Sequence, residues 1–182
     1  MRGTLGTLGI LVALSGAGAQ TAAAQSAQAA PGPEHKRLGF YVGKWNIEGE
    51  MKPGPMGPGG KFTSTDTCEW FEGGFAVVCR SEGTMPTGPA RSIGILGYST
   101  EQKAYTYYGV DNTPMTMVSV PKGTLQGNTW TYTDEGTMEG RKFKTRVVIK
   151  EESPTAQTFK MDMQGPDGKW VTVMESRGTK VQ

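Results

Sequence analysis

From residue 44 onward the chain changes side at almost every step. Trp45, Ile47 and Met51 alternate with Asn46, Glu48 and Glu50, the period of two that marks a half-buried strand. The period returns at 142–150, where Phe143, Thr145, Val147 and Ile149 are set against Lys144, Arg146 and Lys150. It returns again at 158–164, with Phe159, Met161 and Met163 on one face, and at 169–177, with Trp170, Thr172 and Met174 on one face. Residues 61–71 and 75–84 read as a hairpin, and 92–98 and 104–110 as strands around a polar turn. Residues 114–121 read as a strand of Met and Val, and 125–128 as a turn into a strand at 129–133. The stretch KPGPMGPGG at 52–60 is too rich in Pro and Gly for regular structure. Ahead of the strands, Gly32-Pro33-Glu34 places Pro and an acid where a helix begins. Leu38, Tyr41 and Val42 then recur at helical spacing until Gly43 ends the segment.

About nine or ten short strands joined by hairpin-length turns predict an all-β, antiparallel fold. A meander of this kind must hide its edge strands, and an up-and-down barrel does so by closing on itself. The short helix in front is expected to cap one end. A two-sheet sandwich is the competing architecture.

Composition agrees with many short elements: 27 Gly and 11 Pro in 182 residues leave little room for long helices. The formal charge of +2 comes from interspersed Lys and Glu, with no basic stripe to hold phosphates, so nucleic acid is not an expected partner. Residues 1–29 read as a signal peptide and small-residue linker, and 30–182 as a single barrel domain. Arg2 supplies a basic start, an apolar run extends from Leu5 to Leu14, and A-x-A-type cleavage sites end at Ala19, Ala24 or Ala29. That apolar run is shorter than the ~20 residues that span a bilayer, so no stable membrane insertion is expected. The alternative for this segment is an unstructured Ala/Gln-rich tail. The leader predicts a periplasmic or secreted protein.

Cys68 and Cys79 flank the turn candidate Glu72-Gly73-Gly74. A two-residue turn centred on Gly73-Gly74 sets position 68 opposite position 79, at a separation that suits a disulfide in an oxidising compartment. That turn makes the pair a hydrogen-bonded one, the less comfortable site for a bridge, and a longer turn would shift the pairing. The spacing is not C-x-x-C and no further thiol exists, which argues against a redox or metal role.

Three segments carry a family resemblance: PEHKRLGFYVGKW at 33–45, LGYSTEQKAYTYYGVDN at 96–112 and PDGKWVTVMESRGTK at 166–180. The chain resembles the bacterial family known as domain of unknown function 1579, whose members have a short helix running into a Gly-x-Trp strand start. A Gly-Tyr-Asp turn and a closing strand follow. The resemblance implies a lipocalin- or calycin-like barrel and no activity. Ser99 stands where the family often has Asp, which predicts a weaker side-chain bond in that turn. Gly109 stands where an aromatic is usual, which either opens interior space or is filled by Tyr107 or Tyr108.

Catalytic chemistry finds little support. His35 is the one histidine; it lies on the helix among charged neighbours and is expected at the surface. No His-based metal set, haem ligand from a strand or Ser-His-Asp arrangement is available, and no metal or cofactor is expected. Asp66 and Glu69 face opposite sides of a strand, and Asp134-Glu135 and Glu151-Glu152 sit beside turns, where acids are solvated. The Gly-rich runs lack the Lys-Ser/Thr of a phosphate loop.

What remains is the apolar face. Trp45, Tyr105, Tyr107, Met115, Met117, Trp130, Phe159, Met161, Met163 and Met174 are candidates to line one interior. Methionine adapts to varied apolar shapes, and small barrels of this kind hold a small ligand. The same residues would equally fill a closed core, leaving a structural or interaction module that works through its loops. Arg80 alternates with Ala76 and Val78, and Arg177 with Val171 and Val173. An inward Arg would offer a fork to the carboxylate of an amphipathic ligand; an outward one is a surface residue.

Overall fold

A computed structural model describes residues 30–54, 56–112, 120–138, 140–165 and 167–181. The helix α1 (Pro33–Arg37) and a 3-10 turn at Leu38–Phe40 lead into ten strands. These are β1 (Gly43–Met51), β2 (Gly60–Trp70), β3 (Ala76–Met85), β4 (Gly88–Ser99) and β5 (Ala104–Asp111), then β6 (Lys122–Gln126), β7 (Thr129–Met138), β8 (Arg141–Ser153), β9 (Ala156–Gln164) and β10 (Trp170–Val181). Each strand pairs antiparallel with the next, and β10 returns to β1 from Lys44↔Val181 to Met51↔Met174. The sheet is therefore a closed up-and-down barrel rather than a sandwich. Among the described residues no helix is long and apolar enough to cross a membrane.

The differences from the expected elements have local causes. The opening helix is one short turn that tightens to 3-10 geometry, where Tyr41 and Val42 donate to the Leu38 and Gly39 carbonyls. Leu125 and Gln126 belong to strand β6, and the turn is confined to the two residues that follow. Strands β8 and β10 run longer than their apolar alternation, because ladder bonds continue through polar residues to Ser153 and Val181. The expected Met/Val strand at 114–121 falls largely at 113–119, and the leader at 1–29; both lie outside the described residues.

Two register features decide what faces where. Phe71 N–H donates to the Ala76 carbonyl and Gly74 N–H to the Phe71 carbonyl, so the β2–β3 loop holds four residues rather than two. Gly73 and Gly74 take it around at φ of +87° and +74°, a region that favours glycine. Cys68 still faces Cys79, but the longer loop shifts the hydrogen-bond alternation and makes theirs a non-hydrogen-bonded pair, the closer of the two kinds. They form a disulfide with Cα atoms 4.0 Å apart. In β10 a bulge between Thr172 and Met174 shifts the register by one. Trp170 and Thr172 therefore face outward and Met174 inward, so the three do not share a face as the alternation suggested.

The helix and its 3-10 turn plug the end of the barrel where β1 begins. Leu38, Tyr41, Cys68, Val77, Leu96, Tyr105, Trp130 and Tyr132 form one buried cluster there. Trp45 anchors the plug by donating from Nε1 to the Tyr41 carbonyl at 2.7 Å. Full burial of side chains such as Trp45, Trp130, Leu38 and Val77 stabilises the fold by roughly 1.5–3 kcal/mol each. His35 is part of this plug and not of the surface, at 6% exposure. Its ring packs edge-on against Phe75 and Tyr98, and its Nδ1 accepts from Gly32 N–H. The charged neighbours that suggested solvent lie on the other side of the short helix.

Candidate functional site

In a closed barrel every second residue points into the interior, and the paired registers carry that assignment from strand to strand. Starting from buried Trp45 and Ile47, inward positions include Ser64 and Asp66, Cys79 and Ser81, Ser92 and Gly94, then Tyr105, Tyr107 and Gly109. On the far side they include Trp130, Tyr132, Val147, Ile149, Phe159, Met161, Met163 and Met174. Of the candidate lining residues, Trp45, Tyr105, Tyr107, Trp130, Phe159, Met161, Met163 and Met174 thus share the interior. Met115 and Met117 lie outside the described residues.

The arginines do not join them. Arg177 follows the β10 bulge, faces outward and pairs with Glu48 across β1. Arg80 is also on the outer face, opposite Ile93. The fork for a ligand carboxylate is absent because the bulge reverses the parity that had grouped Arg177 with Val171.

Packing is uneven along the axis. Beneath the helix, Trp45, Tyr105 and Trp130 are buried and form a filled floor. Further along, Cys79, Tyr107, Val147, Ile149, Phe159 and Met161 point inward yet stay only half-buried. A side chain turned away from the outer surface keeps such exposure only where the interior leaves room for water. The inward face is therefore fully buried beneath the helix, while further along half-buried Val147, Phe159 and Met161 are interleaved with buried Met51, Phe62 and Met163.

The lumen has two unlike walls. Met51, Met174, Met161 and Val147 are successive cross-strand partners, and the row ends at Tyr132. Opposite them Asp66, Ser81, Ser92 and Asp111 are also successive partners, so a polar row crosses β2 to β5. Ser64 Oγ donates to Asp66 Oδ1 at 3.0 Å and Ser81 Oγ to the same atom at 2.6 Å. Beside this row the Tyr107 side chain lies over Gly94 and Gly109, where an added Cβ would sit 2.8 Å from its ring and from its hydroxyl oxygen respectively. Tyr107, and not outward-facing Tyr108, fills the space left at Gly109. Burial raises the Tyr107 phenol pKa, and the nearby charges of Asp66 and Asp111 raise it further.

These polar residues were missed because Asp66 was weighed only as a partner for Glu69 on the opposite face, and Asp134 as a turn acid, whereas Asp134 is an inward residue of β7. The signal was available: Ser64 and Asp66 share the parity of Phe62 and Cys68, so an inward Cys68 brings them with it.

The floor holds polar atoms without partners. Among the described residues, Tyr41 Oη, Tyr132 Oη and Gln157 Oε1 are buried and make no hydrogen bond. The two phenols lie close enough to perturb each other's ionisation, and burial chiefly raises both pKa values. At the same end Lys180 donates to the Phe40 carbonyl at 3.0 Å and sits 4.7 Å over the Trp45 ring, its pKa lowered by desolvation.

Two open clefts of about 480 Å³ lie outside the lumen proper. One runs past Val120, Lys122, Lys144 and Trp170 to reach inward Asp134 and Thr145; the other lies between Arg37, Phe40, Glu151 and Lys180. Neither is lined by the methionine and aromatic set. No group of three His, Cys, Asp or Glu that could hold a metal occurs among the described residues.

Residues 30–180 match the family model described as protein of unknown function (DUF1579). No curated protein matches the chain in sequence. Among solved structures it is similar to the S-type phycobiliprotein lyase CPES from Guillardia theta, with a TM-score of 0.55 at 12% identity over 82% of this chain and 93% of that one. It is also similar to Rv2717c from M. tuberculosis, with a TM-score of 0.59 at 11% identity over 84% of this chain and 99% of that one. At such identities the likeness is one of fold alone.

Proposed function

The chain belongs to the DUF1579 family of proteins of unknown function, so its role has to be argued from the barrel, and we propose that it is an exported carrier of a small apolar or amphipathic molecule. One observation carries this reading: inward side chains in the middle of the wall, Val147, Phe159 and Met161 among them, stay half-buried above a filled floor. A barrel serving only as a scaffold gains stability by filling such space, since voids forfeit packing. The apolar row of Met51, Met174 and Met161 suits ligands of varied shape. Export is supported by the apolar leader and by the Cys68–Cys79 disulfide, which persists in oxidising compartments.

The test is direct. The protein purified with its disulfide intact is titrated with a neutral solvatochromic dye and weighed by native mass spectrometry. Saturable dye binding is expected, and Val147→Trp, which fills the lumen, should weaken it by about tenfold or more. Failure of the dye to bind, with no co-purified mass, would contradict the carrier reading.

A different feature favours a surface role as a second reading. Ile93 faces Val110 and Ile95 faces Tyr108 on the outer wall, and all four are exposed. Exposed apolar ladders of this kind mark interaction surfaces. Unchanged dye binding in Ile95→Asp together with loss of self-association or partner binding would assign this wall a role of its own.

A further inference from the structure

We propose that the outer wall of β3–β5 is a self-recognition surface, on which a second copy of this chain packs face to face about a two-fold axis. The proposal rests on the reading of this wall as an interaction surface and deepens it by naming the partner.

The alternation that sends one set of residues into the barrel sends the other set out, and the strands differ in what they turn outward. β1 turns out Lys44, Asn46, Glu48 and Glu50, and β2 from Lys61 to Glu69 turns out only lysine, threonine and glutamate. β4 and β5 instead turn out Ile93, Ile95, Tyr108 and Val110, each 41–43% exposed. The cross-strand pairs Ile93–Val110 and Ile95–Tyr108 join these four into one block, and half-buried Val78 beside Ile95 extends it onto β3. Such a block leaves water only against another surface.

The charges that frame the block say which surface. One row across the strands reads Glu69, Val78, Ile95, Tyr108, and the next reads Thr67, Arg80, Ile93, Val110. Glu69 and Arg80 are exposed, and among the described residues neither makes an ion pair. Glu82 and Arg91, further along β3 and β4, do close on each other at 3.6 Å. A two-fold axis that crosses the strands between the two rows turns each row onto the other. Ile95 then lies against the partner's Ile93, and Tyr108 against the partner's Val110. Arg80 lies against the partner's Val78, with the partner's Glu69 one strand away, about 5 Å. Symmetry makes every contact twice, so the free charge pairs of both copies are satisfied together. An unrelated protein would have to supply a matching guanidinium and carboxylate around an apolar centre; a second copy already carries them. The charges also set the register, because sliding one copy along the strands sets Arg80 against another cation or against none.

Sedimentation velocity on the full mature protein, its disulfide intact, over about 1 μM to 1 mM reads the association directly. The wild type is expected to pass from monomer to dimer within that range. Ile95→Asp should weaken dimerisation by about tenfold or more. Arg80→Glu and Glu69→Arg should each weaken it about fivefold, and the two together should restore it, since the reversed charges still attract. The wild-type series is informative whatever the variants do. A dimer indifferent to Ile95→Asp, or a double charge reversal that associates no better than either single one, would overturn the proposal. A monomer at every concentration would also overturn it, while leaving the wall open to a different protein. Dye binding by the same samples reports on the carrier reading separately.

Discussion

Asp162 is on the outer wall yet only 3% exposed, because Arg146, Lys160 and Thr172 converge on it. The Arg146 guanidinium is itself covered by the Trp170 ring at 4.7 Å. Desolvation alone would raise the carboxyl pKa, but the hydrogen bonds from Arg146, Thr172 and Lys160 outweigh it and leave the value lowered. With the folded value depressed, the stabilisation is complete above the ordinary aspartate range of ~3.9 and is lost as pH falls through the folded value. Asp162→Asn should cost about 2 kcal/mol at neutral pH, the scale of hydrogen bonds to a charged group, and should flatten the acid limb of a stability–pH curve. A variant that unfolds in urea like the wild type, with the same acid limb, would contradict this account. Glycines offer a second comparison at this scale. A Cβ at Gly94 would press on the Tyr107 ring, which has the lumen to move into, whereas one at Gly83 would press on the Thr63 carbonyl oxygen in the backbone. Gly94→Ala should cost about 1 kcal/mol and Gly83→Ala about 3 or more, measured by chemical denaturation.

The β2–β3 hairpin shows how much of an element is legible in a sequence. The partnership of Cys68 and Cys79 follows from two glycines midway between them, and the structure keeps it. The loop length did not follow, because it depends on whether the residues beside the glycines make ladder bonds, and Glu72 and Phe75 do not. Bridging an 11-residue separation constrains the unfolded chain, so replacing both cysteines by serine should lower stability by roughly 2–3 kcal/mol. An unchanged urea midpoint would show that the bridge adds nothing to the hairpin. In β10 the alternation misled for a physical reason: a bulge inserts one residue and reverses which face follows, and single-residue patterns carry no mark of it. That one bulge moved Arg177 from a candidate ligand fork to an outer partner of Glu48. The buried His35 was illegible for a related reason, since one turn of helix among charges does not disclose which side meets the barrel.

On the scale of the molecule, the alternation of apolar and polar positions favoured closure over a two-sheet sandwich, because closing a meander of hairpins removes its edges, and the structure has the closed form. It was not enough to distinguish a filled interior from a hollow one, since both demand the same residue types. The distinction comes from how the walls meet. The helix fills one end with Leu38 and Tyr41, while in the other half the small residues Ser81 and Ser92 face the interior and are half-buried. The polar row beginning at Asp66 was legible in principle, by parity with Cys68, but polar residues in a strand are ordinarily assigned to solvent. Here they face inward, and Asp66, Ser81 and Ser92 are half-buried.

Xenon binding in pressurised crystals tests the hollow barrel most directly, because the gas enters apolar space that protein atoms leave open. Xenon is expected within the lumen against Val147, Phe159 and Met161, above the floor formed by Trp45 and Trp130. Density showing those side chains packed against the β2–β5 wall, with no xenon between them, would contradict the account.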